Sequence, residues 1–306
     1  TSDCWNIAAV IIRNKTLLGM ISGNGEIQRT PTNTIVSIDI PHKKLQTDEI
    51  HDVMLYVKAS IADIRVIVEP LVGTGLNFIQ NPSSTVLSFT KLNTDYLIRE
   101  INRFTGNAVS HNDIVMHEDI FSCTLDERKQ FIKGFADVTG YIRRSNYYVG
   151  GKHQHRIDLE IPHNWQMVID ICNLLKSVDI PVQNIDWAHP NMRDGKLTKY
   201  NQGKKNFWKK EHQVKVWANE FLPIGFGVMH KQQALEMFSD ELLSGYSQQG
   251  KIPEEYTHRY YWETKRRIAK NKPRHPSEYD DFIPNVIRGK HFNSWVEIAE
   301  KLGYGE

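Results

Sequence analysis

Cysteine is scarce in this chain: Cys4, Cys123 and Cys172 are far apart and form no CxxC pair. Any pairing leaves an odd thiol, so neither a disulfide framework nor a cysteine zinc site is expected. The chain reads as a reduced, intracellular protein of the cytoplasm or, in a eukaryote, of an organelle or the nucleus. No apolar run approaches the ~18 residues of a membrane-spanning helix. The opening residues lack the charged-then-apolar order of a secretory signal. There is no P-loop, GxSxG, HExxH or dinucleotide fingerprint. An excess of one charge is missing too: the net charge is +2, so composition alone does not announce a nucleic-acid partner. What remains is globular material, 40% hydrophobic and 24% charged, in a 306-residue chain long enough for two cores.

An internal repeat organises that material. Residues 38–46 read IDIPHKKLQ and residues 159–167 read LEIPHNWQM. Upstream, residues 17–27 read LLGMISGNGEI and residues 132–142 read IKGFADVTGYI, so that Gly19, Gly25 and Ile27 correspond to Gly134, Gly140 and Ile142. The glycines are offset by 115 positions and the prolines, Pro41 and Pro162, by 121. Six extra residues are therefore expected in the second hairpin, between Ile142 and Ile157. Both prolines suit the first turn of a helix, where a missing N–H costs nothing. Helices are expected over 42–59 and 163–178 from apolar spacing.

Behind each match the order repeats. IRVIVEP (64–70) and TVLSFT (85–90) read as strands, followed by a helix over 92–104. VQNIDWA (182–188) and HQVKVWANE (212–220) read as strands, followed by a helix over 231–243. Thr124 with Glu127 three positions on is a capping-box signature before the second glycine-bearing helix.

LLGMISGNG and IKGFADVTG resemble the two LAGLIDADG motifs of single-chain homing endonucleases, and the resemblance covers roughly residues 3–245 in the family's order. It implies an α+β fold of two pseudo-symmetric αββαββα halves that form a DNA-binding saddle. The first half would span 1–110, the second 111–250, and a basic helical C-terminal extension 251–306. The two motif helices would pack on each other, with Gly19 and Gly134 letting the backbones approach, and Gly25 and Gly140 ending them. Residues 291–304, HFNSWVEIAEKLGY, are similar to small helical repeats appended to such enzymes.

The resemblance also implies a monomer that binds double-stranded DNA through polar residues on its strands. Gln28, Arg143, Gln183, Gln213 and Lys215 are candidates for that face. The basic segment 190–215, with Lys204, Lys205, Lys209 and Lys210, suits phosphate contacts. In active members an acid stands just before the last motif glycine of each helix, and the pair holds divalent ions, Mg²⁺ in the first instance. Here those positions hold Asn24 and Thr139. Glu26 and Asp137 are the nearby acids that a catalytic metal would need instead; His42 and His163 are bases by type only. Two readings stay open: an endonuclease of the homing or restriction kind with an altered site, or a cleavage-silent relative acting as a DNA-binding regulator or an intron-RNA maturase.

Overall fold

The structure is a computed structural model that describes residues 2–45, 53–143, 148–149, 152–153, 155–162, 164–186 and 211–246. The first half opens with α1 (Ser2–Asn24) and the strands β1 (Gly25–Arg29) and β2 (Asn33–Pro41). It continues with α2 (Val53–Val72), β3 (Asn77–Gln80), β4 (Ser84–Leu92) and α3 (Tyr96–Thr105). After a short α4 (Asp119–Ser122), the second half repeats the plan. It comprises α5 (Leu125–Thr139), β5 (Gly140–Arg143), β8 (Arg156–Pro162), α6 (Trp165–Ser177), β9 (Asn184–Asp186) and β10 (Glu211–Trp217). A turn of helix, α7 (Ala218–Phe221), and α8 (Met229–Tyr246) close it. Each half carries a four-stranded antiparallel sheet, in the orders β1-β2-β4-β3 and β5-β8-β10-β9.

The repeat holds residue by residue. Gly25 pairs with Ile38 and Ile27 with Val36, while Gly140 pairs with Leu159 and Ile142 with Ile157. Across the next pair, Ser37 faces Ser88 where Asp158 faces Lys215. The extra residues of the second hairpin contain a ladder of their own, β6 (Tyr148–Val149) with β7 (Lys152–His153). Register is fixed because one face of each sheet is buried, and a one-residue slip would turn the whole apolar set outward. That face carries Val36, Ile38, Ile40, Leu87 and Phe89 in the first half, and Ile157, Leu159, Ile161, Val214 and Val216 in the second.

The central element is the helix pair. Leu17, Leu18, Met20 and Ile21 of α1 are all fully buried. With buried Gly19 they form five consecutive positions, which span every side of a helix, so α1 is enclosed, packed on α5, on its own sheet through β2, and on α2. A Cβ on Gly19 would run into the Phe131 carbonyl and lie 2.8 Å from the Phe135 nitrogen. A Cβ on Gly134 would run into the Thr16 carbonyl and lie 3.0 Å from its Cα. Both glycines thus sit at the crossing, backbone against backbone. Gly23, one turn on from Gly19, meets side chains instead: a Cβ there would lie 2.7 Å from Thr139 Cγ2 and 2.8 Å from Val138 Cγ2.

Several sequence expectations need correction. IRVIVEP is no strand: it is the second half of α2, with Pro70 inside the helix. Val57, Ser60, Ile64 and Val68 are buried while Arg65, Val66 and Glu69 are exposed, a 3.6-residue period that overrides β-branched propensity. The strand follows later, as β3. The helix expected over 42–59 is a 3-10 turn, His42–Lys44, with α2 starting at Val53; residues 46–52 lie outside the described residues. Pro41 and Pro162 end strands instead of opening helices. The second helix is capped by Asn164, whose side chain accepts from the Met167 N–H at 2.9 Å. Gly140 has φ −87°, so it leaves α5 without a left-handed turn. Its lack of a side chain serves packing: a Cβ would lie 2.7 Å from the Ala136 oxygen and 3.0 Å from Leu159 Cδ2. The capping box at Thr124 and Glu127 is present as expected. The extension 251–306 lies outside the described residues.

Candidate nucleic-acid interface

The helix pair delivers Asn24 and Thr139 to one place. The Asn24 side chain donates from Nδ2 to the Val138 carbonyl, 3.0 Å away across the crossing. Thr139 is buried and its hydroxyl donates to the Phe135 carbonyl at 2.7 Å, one turn back in its own helix. Each therefore satisfies a carbonyl at a helix C-terminus, where several lack intrahelical partners.

Asp137 is fully buried, and its carboxylate accepts the Gly227 amide at 3.0 Å and the Val228 amide at 3.3 Å, just ahead of α8. In return, Lys231 in the first turn of α8 donates from Nζ to the Ala136 and Asp137 carbonyls at 3.2 and 3.0 Å. An acid at one helix start and a cation at another helix end complement both dipoles. Burial pushes the Asp137 carboxyl up and the Lys231 ammonium down, and each is opposed by the charge of the other. Asp137 thus joins α5 to α8, and no sequence signal marked Lys231 as its partner.

Glu26 stands on the other side, exposed on β1 opposite Ser37. His42 is buried, its Nε2 3.0 Å from the Thr85 hydroxyl; His163 lies outside the described residues. A divalent ion pair needs several hard anionic oxygens. Asn24 and Thr139 are neutral and bonded to carbonyls, and the Asp137 oxygens are taken by amides. Among the described residues no group of three His, Cys, Asp or Glu side chains could hold a metal. The residues present at the helix ends do not fit a metal pair.

The sheet faces away from the helices differ between the halves. On the first sheet, Glu26, Gln28 and Asp39 are exposed, and Ile35, Ser37, Val86 and Ser88 are half-buried. Thr90 and the edge residues Asn77 and Ile79 are exposed beside them. The strand cations of this half point the other way. Arg29 donates to the Asn102 side chain at 3.0 Å and to the Ala108 and Gly106 carbonyls at 2.6 and 2.9 Å. Lys91 pairs with Asp95 at 3.5 Å.

On the second sheet, the matching positions are buried and mostly charged: Arg156, Asp158, Glu160 and Lys215, with Trp217 beside them. Lys215, expected on the DNA face, is only 1% exposed. Gln213 donates to the Glu160 carboxylate at 2.9 Å. Gln183 is buried, and its backbone N–H donates to the Lys215 carbonyl at 2.7 Å. Arg143 pairs with Arg156 in register, and its side chain lies outside the described residues. Lys204, Lys205, Lys209 and Lys210 lie outside them as well.

One contact missed in the sequence crosses between the halves. Lys44, 2% exposed, bonds to the carboxylate of Glu160 in β8, with Lys43 3.6 Å from the same oxygen. Lys44 lies over the Tyr141 ring as well, 5.3 Å from its centroid. The linker between halves is also tied down. Asn164 donates to the His111 and Ile114 carbonyls at 3.0 and 2.8 Å, and Asp170 accepts the Met116 N–H at 3.1 Å.

No family model matches the chain, and no curated protein matches it. Solved structures do. One is I-DmoI in complex with DNA and Mn, 14% identical, covering 70% of this chain and 94% of that one at a TM-score of 0.37. Another is the homing endonuclease I-WcaI bound to its DNA recognition sequence, 13% identical, covering 70% and 80% at 0.37. A third, I-CpaMI bound to uncleaved DNA, is 9% identical and covers 96% and 99% at 0.30. The solved structures to which this chain is similar thus include homing endonucleases and a LAGLIDADG meganuclease.

Proposed function

We propose that the chain binds double-stranded DNA sequence-specifically, as a monomer of the LAGLIDADG endonuclease type. The observation that carries this reading is the duplicated frame. Two glycine-bearing helices cross backbone to backbone, and each feeds a four-stranded sheet whose register the other repeats. A duplex is itself pseudo-twofold, so two matched antiparallel sheets in one chain suit two successive stretches of its major groove. The outward face of the first sheet offers hydrogen-bonding side chains, as groove readout requires. The free thiols of Cys123 and Cys172 suit a reducing, intracellular setting.

Any hydrolysis of the bound strand in Mg²⁺ would have to draw on Glu26. It is the exposed acid beside the helix ends, whereas Asn24, Thr139 and Asp137 are committed to the fold. The test takes the full chain, duplexes selected from a random pool, and a plasmid carrying the selected site. The reading expects a specific complex with the duplex, stronger than with structured RNA. Cutting in Mg²⁺ or Mn²⁺ that disappears in Glu26→Gln while the complex persists would assign the endonuclease. A specific complex without cutting would assign the silent regulator. No duplex binding, or a preference for RNA, overturns the proposal.

A further inference from the structure

The open face of the first sheet is chemically selective in a way that goes beyond DNA binding as such. Among the described residues it presents no lysine or arginine, because Arg29 and Lys91 are on the opposite face and bonded there. Guanine is read in the major groove chiefly by a cation placed against O6 and N7. That contact is missing along the whole of β1 to β4. Glu26 and Asp39 are the charged groups on this face; its uncharged side chains suit the other base pair. Gln28 and Asn77, both exposed, carry the amide group that bonds adenine N6 and N7 together. Ile35, Val86 and Ile79 lie on the same face, with Ile35 beside Gln28 and Ile79 beside Val86 across adjacent strands. Ile79 is 52% exposed, and nothing in the core requires it there. Apolar groups at strand positions facing a groove match the thymine methyl.

We infer that the half-site read by the first sheet is rich in A·T pairs, with adenine specified by Gln28 and Asn77 and thymine methyls by Ile35, Val86 and Ile79. The inference rests on the DNA-binding reading above. A face without cations also releases few counterions on binding, so this half contributes base readout with little salt dependence. The two properties belong together: the half-site gains its specificity from groups that would add nothing to non-specific affinity.

The experiment selects binding sites from a random duplex pool with the full-length chain and with Gln28→Ala and Asn77→Ala. The wild type is expected to enrich A·T pairs on one side of the site. Each variant should relax one position on that side by about ten-fold and leave the other side and the salt slope unchanged. Sites with guanine specified on both sides would overturn the inference while leaving duplex binding intact. So would variants that weaken all sequences alike. Failure to enrich any duplex overturns the inference together with the function on which it rests. Circular dichroism and thermal melting of both variants should match wild type, since both side chains are exposed.

Discussion

The two sheets share a backbone and differ in what they show to the outside. Where the first sheet sets Ser37 opposite Ser88, the second sets Asp158 opposite Lys215. Where the first exposes Asp39, the second buries Glu160 against Lys44 of the other half. The faces that meet the helices have kept the same apolar pattern in the same register. Packing and register constrain a core face tightly, since any slip exposes it. The opposite face carries no such constraint, and its side chains have taken separate courses. The first sheet is left open and without cations; the second is enclosed and carries charges of both signs. The lesson is that duplication fixes the frame, while chemistry is distributed unequally over it.

The largest effect should come from breaking what the halves share. Gly19→Val and Gly134→Val each push a side chain into the facing backbone, which cannot rotate away as a side chain can. We expect a loss of about 3 kcal/mol or more from either change, read by denaturant unfolding, and a double variant well short of additive because both strike one crossing. A small and additive loss would show that the helices are not so close.

The smaller effect sharpens the difference between halves. Glu220, following the buried end of β10, has its carboxyl raised from 4.5 to about 7 by burial. Its neutral form fits the fold better, so the stability it contributes is fully present below pH 4.5 and is lost as pH rises through about 7. Glu220→Gln should therefore stabilise the chain at pH 8 by roughly 1 to 2 kcal/mol and flatten the melting profile over that window. Equal pH profiles for variant and wild type would place Glu220 in solvent.

Much of the frame was legible in the sequence, and for a definite reason. Glycines at a helix crossing are dictated by close approach, and the two prolines, which end strands instead of opening helices, still mark the same place in each half. Their offsets of 115 and 121 accordingly return as matched strand register. The misreading of residues 64–70 arose where β-branched residues follow a helical period; the period decides, because it determines what is buried. The candidate site was less legible. Alternation placed Lys215 on the face away from the helices, but whether a face is open or enclosed depends on packing that local pattern does not encode. Likewise, the acidic position in IKGFADVTG gave no hint that Asp137 receives two amides from residues about ninety positions away. Lys44 followed Pro-His unremarked, because its partner Glu160 belongs to the other half.

The central claim is that the open face of the first sheet meets the duplex. Ser88 lies in the middle of that face, between Ser37 and Asn77, and Val66 lies on α2, 70% exposed. Affinity of Ser88→Glu for the selected duplex, against Val66→Glu and wild type, tests the claim most directly. A carboxylate at Ser88 should weaken binding by about 100-fold or more through repulsion and an unpaired buried charge, with the melting temperature little changed and Val66→Glu binding as wild type does. Undiminished binding by Ser88→Glu, or an equal loss from both substitutions, would contradict it.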